Sequence, residues 1–244
     1  MMKIKKILCL LSLLFFTETH ADYGIIQDKD GFVNVRESDS LKSKVVDKLN
    51  NGEIVSCSFE QGDASFCFGL YEQKGHTYSG FIHTSRVSFF NGFQKWKFIR
   101  TISNEAIYQS GQNQIRIIVR PAQVTTMDFK KTGQSYTHYR NKAFFGIDGD
   151  LPIKGKSYHL YEIKITYNGK ITIIPQQNLE HYFFPNTTLA EGGLQDYEMA
   201  EIYSKGNDLY ILNSLANGGA AQYTMLLHIK DHKLIRESAW SESR

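Results

Sequence analysis

The chain reads as short runs of alternating apolar and polar residues cut by turn signals. That is the period-2 signature of strands with one face buried. In the first part the runs are residues 24–27, 33–36, 45–49, 54–59, 66–73 and 80–83. Asp30-Gly31, Asn50-Asn51-Gly52, Gln61-Gly62-Asp63 and Lys74-Gly75 divide them. Gly, Asn and Asp accept the positive φ that tight turns need. From Lys97 onward the texture continues, with runs at 114–120, 157–167, 170–174, 208–212, 223–229 and 234–239. Asn168-Gly169 is a strong two-residue hairpin signal. Lys230-Asp231-His232-Lys233 marks a turn before the last run. One short helix is expected near residues 175–182, with Pro175 in its first turn. The pattern predicts a mainly β protein built from many short strands.

Residues 87–97 break this texture with Phe89, Phe90, Phe93 and Trp96. A flexible linker would be rich in Gly, Ser or Pro. This segment is therefore expected to pack between two domains or to start the second.

Charge and hydropathy at the N-terminus set the expected compartment. Lys3, Lys5 and Lys6 precede an apolar run at residues 7–16, and Thr19-His20-Ala21 follows. A basic region, a short apolar core and a small residue before the cut describe a secretory signal peptide. The run is shorter than the about 18 apolar residues that a membrane span requires. Cys9 lies inside the apolar core, which does not suit a lipoprotein site. Cleavage after Ala21 would leave 25 basic and 24 acidic residues. The whole-chain isoelectric point near 8.6 thus overstates the basicity of the mature chain. Near-neutral charge without a Lys/Arg stripe argues against a nucleic-acid partner. No later segment is apolar enough to span a membrane, so the expected location is periplasmic or secreted.

Cys57 and Cys67 are the two cysteines of the mature chain. An even pair in an oxidising compartment is by default a disulfide. In the loop-closure model a bridge over so short a loop contributes on the order of 3 kcal/mol. A zinc site would need two further ligands, and His76 and His83 are a weak offer.

Two stretches carry a family resemblance. Residues 31–36 read G-F-V-N-V-R, residues 80–87 read G-F-I-H-T-S-R-V, and V-V-D-K-L-N-N-G-E-I-V lies between them. Together they resemble a bacterial SH3 (SH3b) domain over residues 22–90. The resemblance implies a small β-barrel of an exported protein that binds cell-wall or peptide ligands. Asn34, Val35 and Arg36 match its L-N-V-R signature, so Val33 and Val35 should point inward. Arg36 is then expected in a structural salt bridge, with ligand contact as the alternative. Phe81 stands where the family often has a tryptophan, which removes an indole N–H and keeps an aromatic face. Tyr71, Tyr78 and Phe81 are the candidate binding residues, as an exposed aromatic groove; the alternative is a core or interdomain role.

Residues 91–244 resemble an uncharacterised group of exported bacterial proteins. The shared order is G-I-D-G-D-L-P at 146–152, Asn168-Gly169-Lys170, Ile174-Pro175, Phe184-Pro185-Asn186 and the Gly-rich 216–223. The pattern implies a domain and no chemistry. Asp148 and Asp150 supply only two carboxylates, which suits a turn better than a calcium loop. Gly218-Gly219 has no following G-K-[S/T], so it is not a phosphate loop. Residues 97–244 contain no cysteine, no G-x-S-x-G and no H-E-x-x-H, which argues against the common hydrolase designs. His138, His159, His181, His228 and His232 show no ligand spacing, and Glu162, Glu180, Glu191 and Asp196 cannot be paired from sequence.

The expectation is a signal peptide at 1–21, an SH3b-like barrel at 22–90 and a β-rich domain at 91–244. The expected function is non-catalytic binding of peptidoglycan or a periplasmic protein, with no cofactor and no metal. The alternatives are an immunity or inhibitor protein against a toxin or wall hydrolase, and a wall hydrolase with a site assembled from scattered carboxylates.

Overall fold

A computed structural model describes residues 22–59, 65–73, 76–147, 155–184, 200–215 and 221–240. The expected signal peptide, the turns at 61–63 and 74–75, Asp148, Asp150, Glu191, Asp196, Pro185-Asn186 and Gly218-Gly219 lie outside the described residues. Among those described, the chain is mainly β, as its alternation predicts. No helix in them is long and apolar enough to cross a membrane.

The N-terminal sheet contains β1 (Asp22–Ile26), β2 (Phe32–Arg36), β3 (Val45–Asn50), β4 (Ile54–Ser58), β5 (Phe66–Gln73), β6 (His76–His83) and β7 (Val87–Phe89). Its order is β3-β2-β6-β5-β4-β1-β7, and it curls around Val33, Val35, Leu49, Val55, Cys57, Cys67, Tyr71 and Ile82. Val33 and Val35 do point inward, while Phe32, Asn34 and Arg36 take the other face. The chain crosses tightly at Gly80, where a Cβ would lie 2.4 Å from a Val35 methyl. Only glycine lets β6 approach β2 this closely.

Residues after β7 form two further sheets that face each other. One holds β9 (Lys97–Ile102), β10 (Glu105–Ser110), β11 (Asn113–Val124), β15 (Gly155–Tyr167) and β16 (Lys170–Ile174), in the order β16-β15-β11-β10-β9. The short β17 (Phe183–Phe184) also pairs with β15. The other holds β8 (Gln94–Lys95), β18 (Glu201–Lys205), β19 (Asp208–Leu215), β20 (Tyr223–Lys230) and β21 (Lys233–Trp240), in the order β21-β20-β19-β18-β8. Ile115, Ile117, Leu160, Ile163 and Ile165 from the first meet Ile202, Leu209, Ile211, Met225 and Leu227 from the second. A small sheet of β12 (Phe129–Thr132), β13 (Ser135–Tyr139) and β14 (Lys142–Ala143) closes over Phe144 and Phe183.

The second sheet is covered on both sides. Leu209 and Ile211 of β19 face the sandwich core. Tyr210 and Leu212, one residue out of phase, pack with Ile54, Phe90, Tyr203, Leu226 and Trp240 against Tyr23 and Ile25 of β1. The curled sheet, the sheet of β8 and β18–β21, and the sheet of β9–β11, β15 and β16 therefore form three layers. Double coverage explains why β19 and β20 read as continuous apolar runs rather than clean alternation. The aromatic segment joins the layers: Phe89 packs on the curled sheet's core, Phe90 lies between layers, and Trp96 enters the sandwich. The Trp96 indole Nε1–H donates to Ser204 Oγ at 3.0 Å.

The expected turns hold at Asn168-Gly169 and Asp231-His232, whose four residues all have positive φ. The expected helix contracts to one turn, α1 (Gln176–Leu179), with Pro175 as its cap rather than in its first turn. Leu179 is anchored in the core, and Tyr182 then bridges to Phe145. Gly146 explains part of the G-I-D-G-D-L-P motif. It has φ +86°, and a Cβ there would collide with the Phe183 carbonyl.

Candidate functional site

Cys57 on β4 and Cys67 on β5 form the expected disulfide. Both are fully buried in the curled sheet's core, and Cys57 stands opposite Gly69, two residues from its partner. The bridge is therefore a diagonal cross-strand staple and not an exposed thiol pair.

The three candidate aromatics do not share one face. Tyr71 and Tyr78 are directly opposite on β5 and β6, with rings stacked 5.9 Å apart. Tyr71 is buried, and its hydroxyl donates to Asp47 Oδ2 at 2.8 Å. Burial first, and then the Asp47 carboxylate, raise the phenol well above its ordinary range. Tyr78 is 44% exposed. Phe81 is three residues along β6 and so points to the opposite face, where it packs edge-on against Phe68 at 5.4 Å. It also stands opposite Arg36, in the only register pair that β2 and β6 share among the described residues.

That single rung opens a cleft. Beyond Arg36 and Phe81 the two strands share no further register pair among the described residues, and a cavity of about 270 Å³ lies against β2 and His83 at the end of β6. Asp28, Asp30, Phe32, Val33, Asn34, Arg36, Leu41, His83 and Arg86 line it. Phe32, Asn34 and Arg36 follow one another on one face of β2, spaced by about 7 Å per pair of residues. Leu41 stands at the rim and is 67% exposed.

The charges of the cleft are held from within. The Asp28 side chain is almost wholly buried. Its carboxylate accepts from the Asp30 backbone N–H at 2.7 Å and pairs with the Arg86 guanidinium. The Asp30 N–H and then Arg86 hold the acid below its ordinary value despite burial. Asn51 fixes the same turn: its side chain accepts from the Asp28 N–H and donates to the Asp28 carbonyl, at 2.8 and 2.7 Å. Among the described residues, Arg36 does not form the expected salt bridge. Its Nη1 donates to the Ser43 carbonyl at 2.7 Å and so ties down the β2–β3 loop; no carboxylate among the described residues lies within ion-pair distance. His83 Nδ1 lies 2.9 Å from the Ser85 hydroxyl and 3.3 Å from the Ser85 backbone N–H, so Ser85 orients the ring.

The cleft thus carries two guanidiniums, Arg36 and Arg86, two carboxylates, Asp28 and Asp30, the Asn34 amide and the His83 imidazole. The sequence reading missed Asp28, Arg86 and Leu41 as its members. Asp28 and Arg86 are 58 residues apart, and no local pattern links them. No group of three or more metal-ligating side chains occurs among the described residues. No family model, curated protein or solved structure matches this chain.

Proposed function

We propose that the protein is an exported, non-catalytic binding protein whose curled sheet presents the cleft between β2 and β6 to peptidoglycan or to a periplasmic protein. The observation that carries this reading is the composition of the cleft. An exposed leucine and a phenylalanine lie beside two guanidiniums, the usual mix of an apolar contact with a few placed polar groups. Its buried carboxylate is committed to Arg86, and its imidazole is oriented by Ser85. The resemblance of residues 22–90 to SH3b domains, and the signal-like residues 1–21, support the compartment and the ligand class.

A pull-down of the mature chain from periplasmic extract, with isolated sacculi alongside, tests the reading. Retention by sacculi or by one extract protein is expected. Release of muropeptides would overturn the non-catalytic reading, and export failure would overturn the compartment.

A further inference from the structure

Within that cleft, and resting on the binding reading above, we infer that the ligand is an extended peptide with a free carboxylate, its backbone lying along the open edge of β2. Two observations converge on this. The first is the strand edge. β2 pairs with β3 along its length, but with β6 only at Arg36 and Phe81. Residues 32–35 have no ladder partner on the β6 side among the described residues. An unpaired edge inside a cleft is a template for strand addition, where main-chain hydrogen bonds supply affinity.

The second is the donor balance. Arg86 is neutralised by Asp28, and the exposed Asp30 carboxylate also lines the cleft; among the described residues Arg36 has the Ser43 carbonyl as its hydrogen-bond partner and keeps further N–H groups for a ligand. A guanidinium fork matches a carboxylate in geometry and charge. Phe32 and Leu41 offer apolar contact to the side chain next to that carboxylate. The volume of about 270 Å³ lies near the lower end of the range for ligand sites, about 300–1,000 Å³, and accommodates a peptide end.

The test uses the mature chain with acetyl-Ala-Ala-Ala as the free acid and as the carboxamide. Calorimetry and amide chemical shifts are the readouts. The acid should bind about tenfold more tightly than the amide, the size of a charge-assisted hydrogen bond, and should shift the amides of residues 32–36. Arg36→Lys keeps the charge without the fork and should erase most of the preference. Leu41→Glu places a like charge at the exposed rim and should weaken acid binding about tenfold with an unchanged melt. Equal binding of acid and amide, or shifts confined to other strands, overturns the inference. If neither peptide binds while sacculi retain the protein in a Leu41-dependent way, the carboxylate inference fails and the cleft reading stands. If Leu41→Glu leaves retention intact, the cleft reading falls with it.

Discussion

Phe90, just past the curled sheet, and Tyr210, in the middle strand of the adjoining sheet, pack with ring centroids 4.8 Å apart. Phe90 also meets Phe93 and Tyr203, so one buried ring fastens two layers. Phe90→Ala should destabilise the whole chain by about 3–5 kcal/mol, through lost burial and the cavity left behind. A fragment of residues 22–90 keeps its own core and disulfide but loses the cover over Ile54 and Phe90. At about 1.5–3 kcal/mol for each large side chain re-exposed, it should be several kcal/mol less stable than the same residues in the full chain. Urea unfolding followed by tyrosine fluorescence and by circular dichroism checks both. A fragment as stable as the full chain would show that the contact is not energetically coupled.

The disulfide closes a loop between two buried neighbours. Replacing Cys57 or Cys67 with Ser should cost about 2–4 kcal/mol, read as a shift of the urea midpoint with little change in slope. Native protein should take up no thiol label. Labelling of two thiols per chain would contradict the bridge.

Acid should weaken the fold through His181. The ring is buried, with 4% of its surface exposed, and Nδ1 has no partner among the described residues. Burial, reinforced by Lys142, lowers its pKa from the ordinary 6.5 to about 3. The unfolded chain therefore takes the proton first as pH falls. Stability is whole above about pH 6.5 and drains toward pH 3, at a rate of at most about 1.4 kcal/mol per pH unit. Unfolding free energies from pH 7 to pH 4, in the wild type and in His181→Leu, isolate this contribution. The variant should show a shallower slope whatever its absolute stability; parallel slopes would mean that His181 protonates without penalty.

Tyr71, Tyr78 and Phe81 should separate by face. Tyr71→Phe removes the hydrogen bond to Asp47 and should cost about 0.5–1.5 kcal/mol of stability. Tyr78→Ala, on the face away from the cleft, should leave ligand retention unchanged. Phe81→Ala, next to Arg36, should weaken it several-fold. The reverse order, with Tyr78 essential and Phe81 neutral, would move the site to the stacked tyrosine pair.

Much of the fold was legible because alternation and glycine turns are local. Asn168-Gly169 and the six strand runs of the first part follow from spacing, and the inward Val33 and Val35 from the resemblance of residues 31–36 to the L-N-V-R signature. The strands without such signals were not singled out. β9 is an edge strand with nearly every residue exposed, so it shows no alternation. The turns at Ser103 and at Arg140-Asn141 use positive φ at residues that do not advertise it. The site was less legible. Tyr78 and Phe81 could have been assigned to opposite faces from their odd spacing. The cleft itself depends on where β2 and β6 part, and on the Asp28–Arg86 pair, which only the tertiary fold brings together.

Cosedimentation of residues 22–244 with isolated sacculi, and their capture of partners from periplasmic extract, compared between wild type and Leu41→Glu, tests the central claim most directly. Leu41 is a rim residue with most of its surface in solvent, so the substitution should leave the melt unchanged. The account predicts that the wild type is retained and that the variant loses about tenfold in affinity. Equal retention of the two proteins, with equal melts, would contradict the assignment of binding to this cleft.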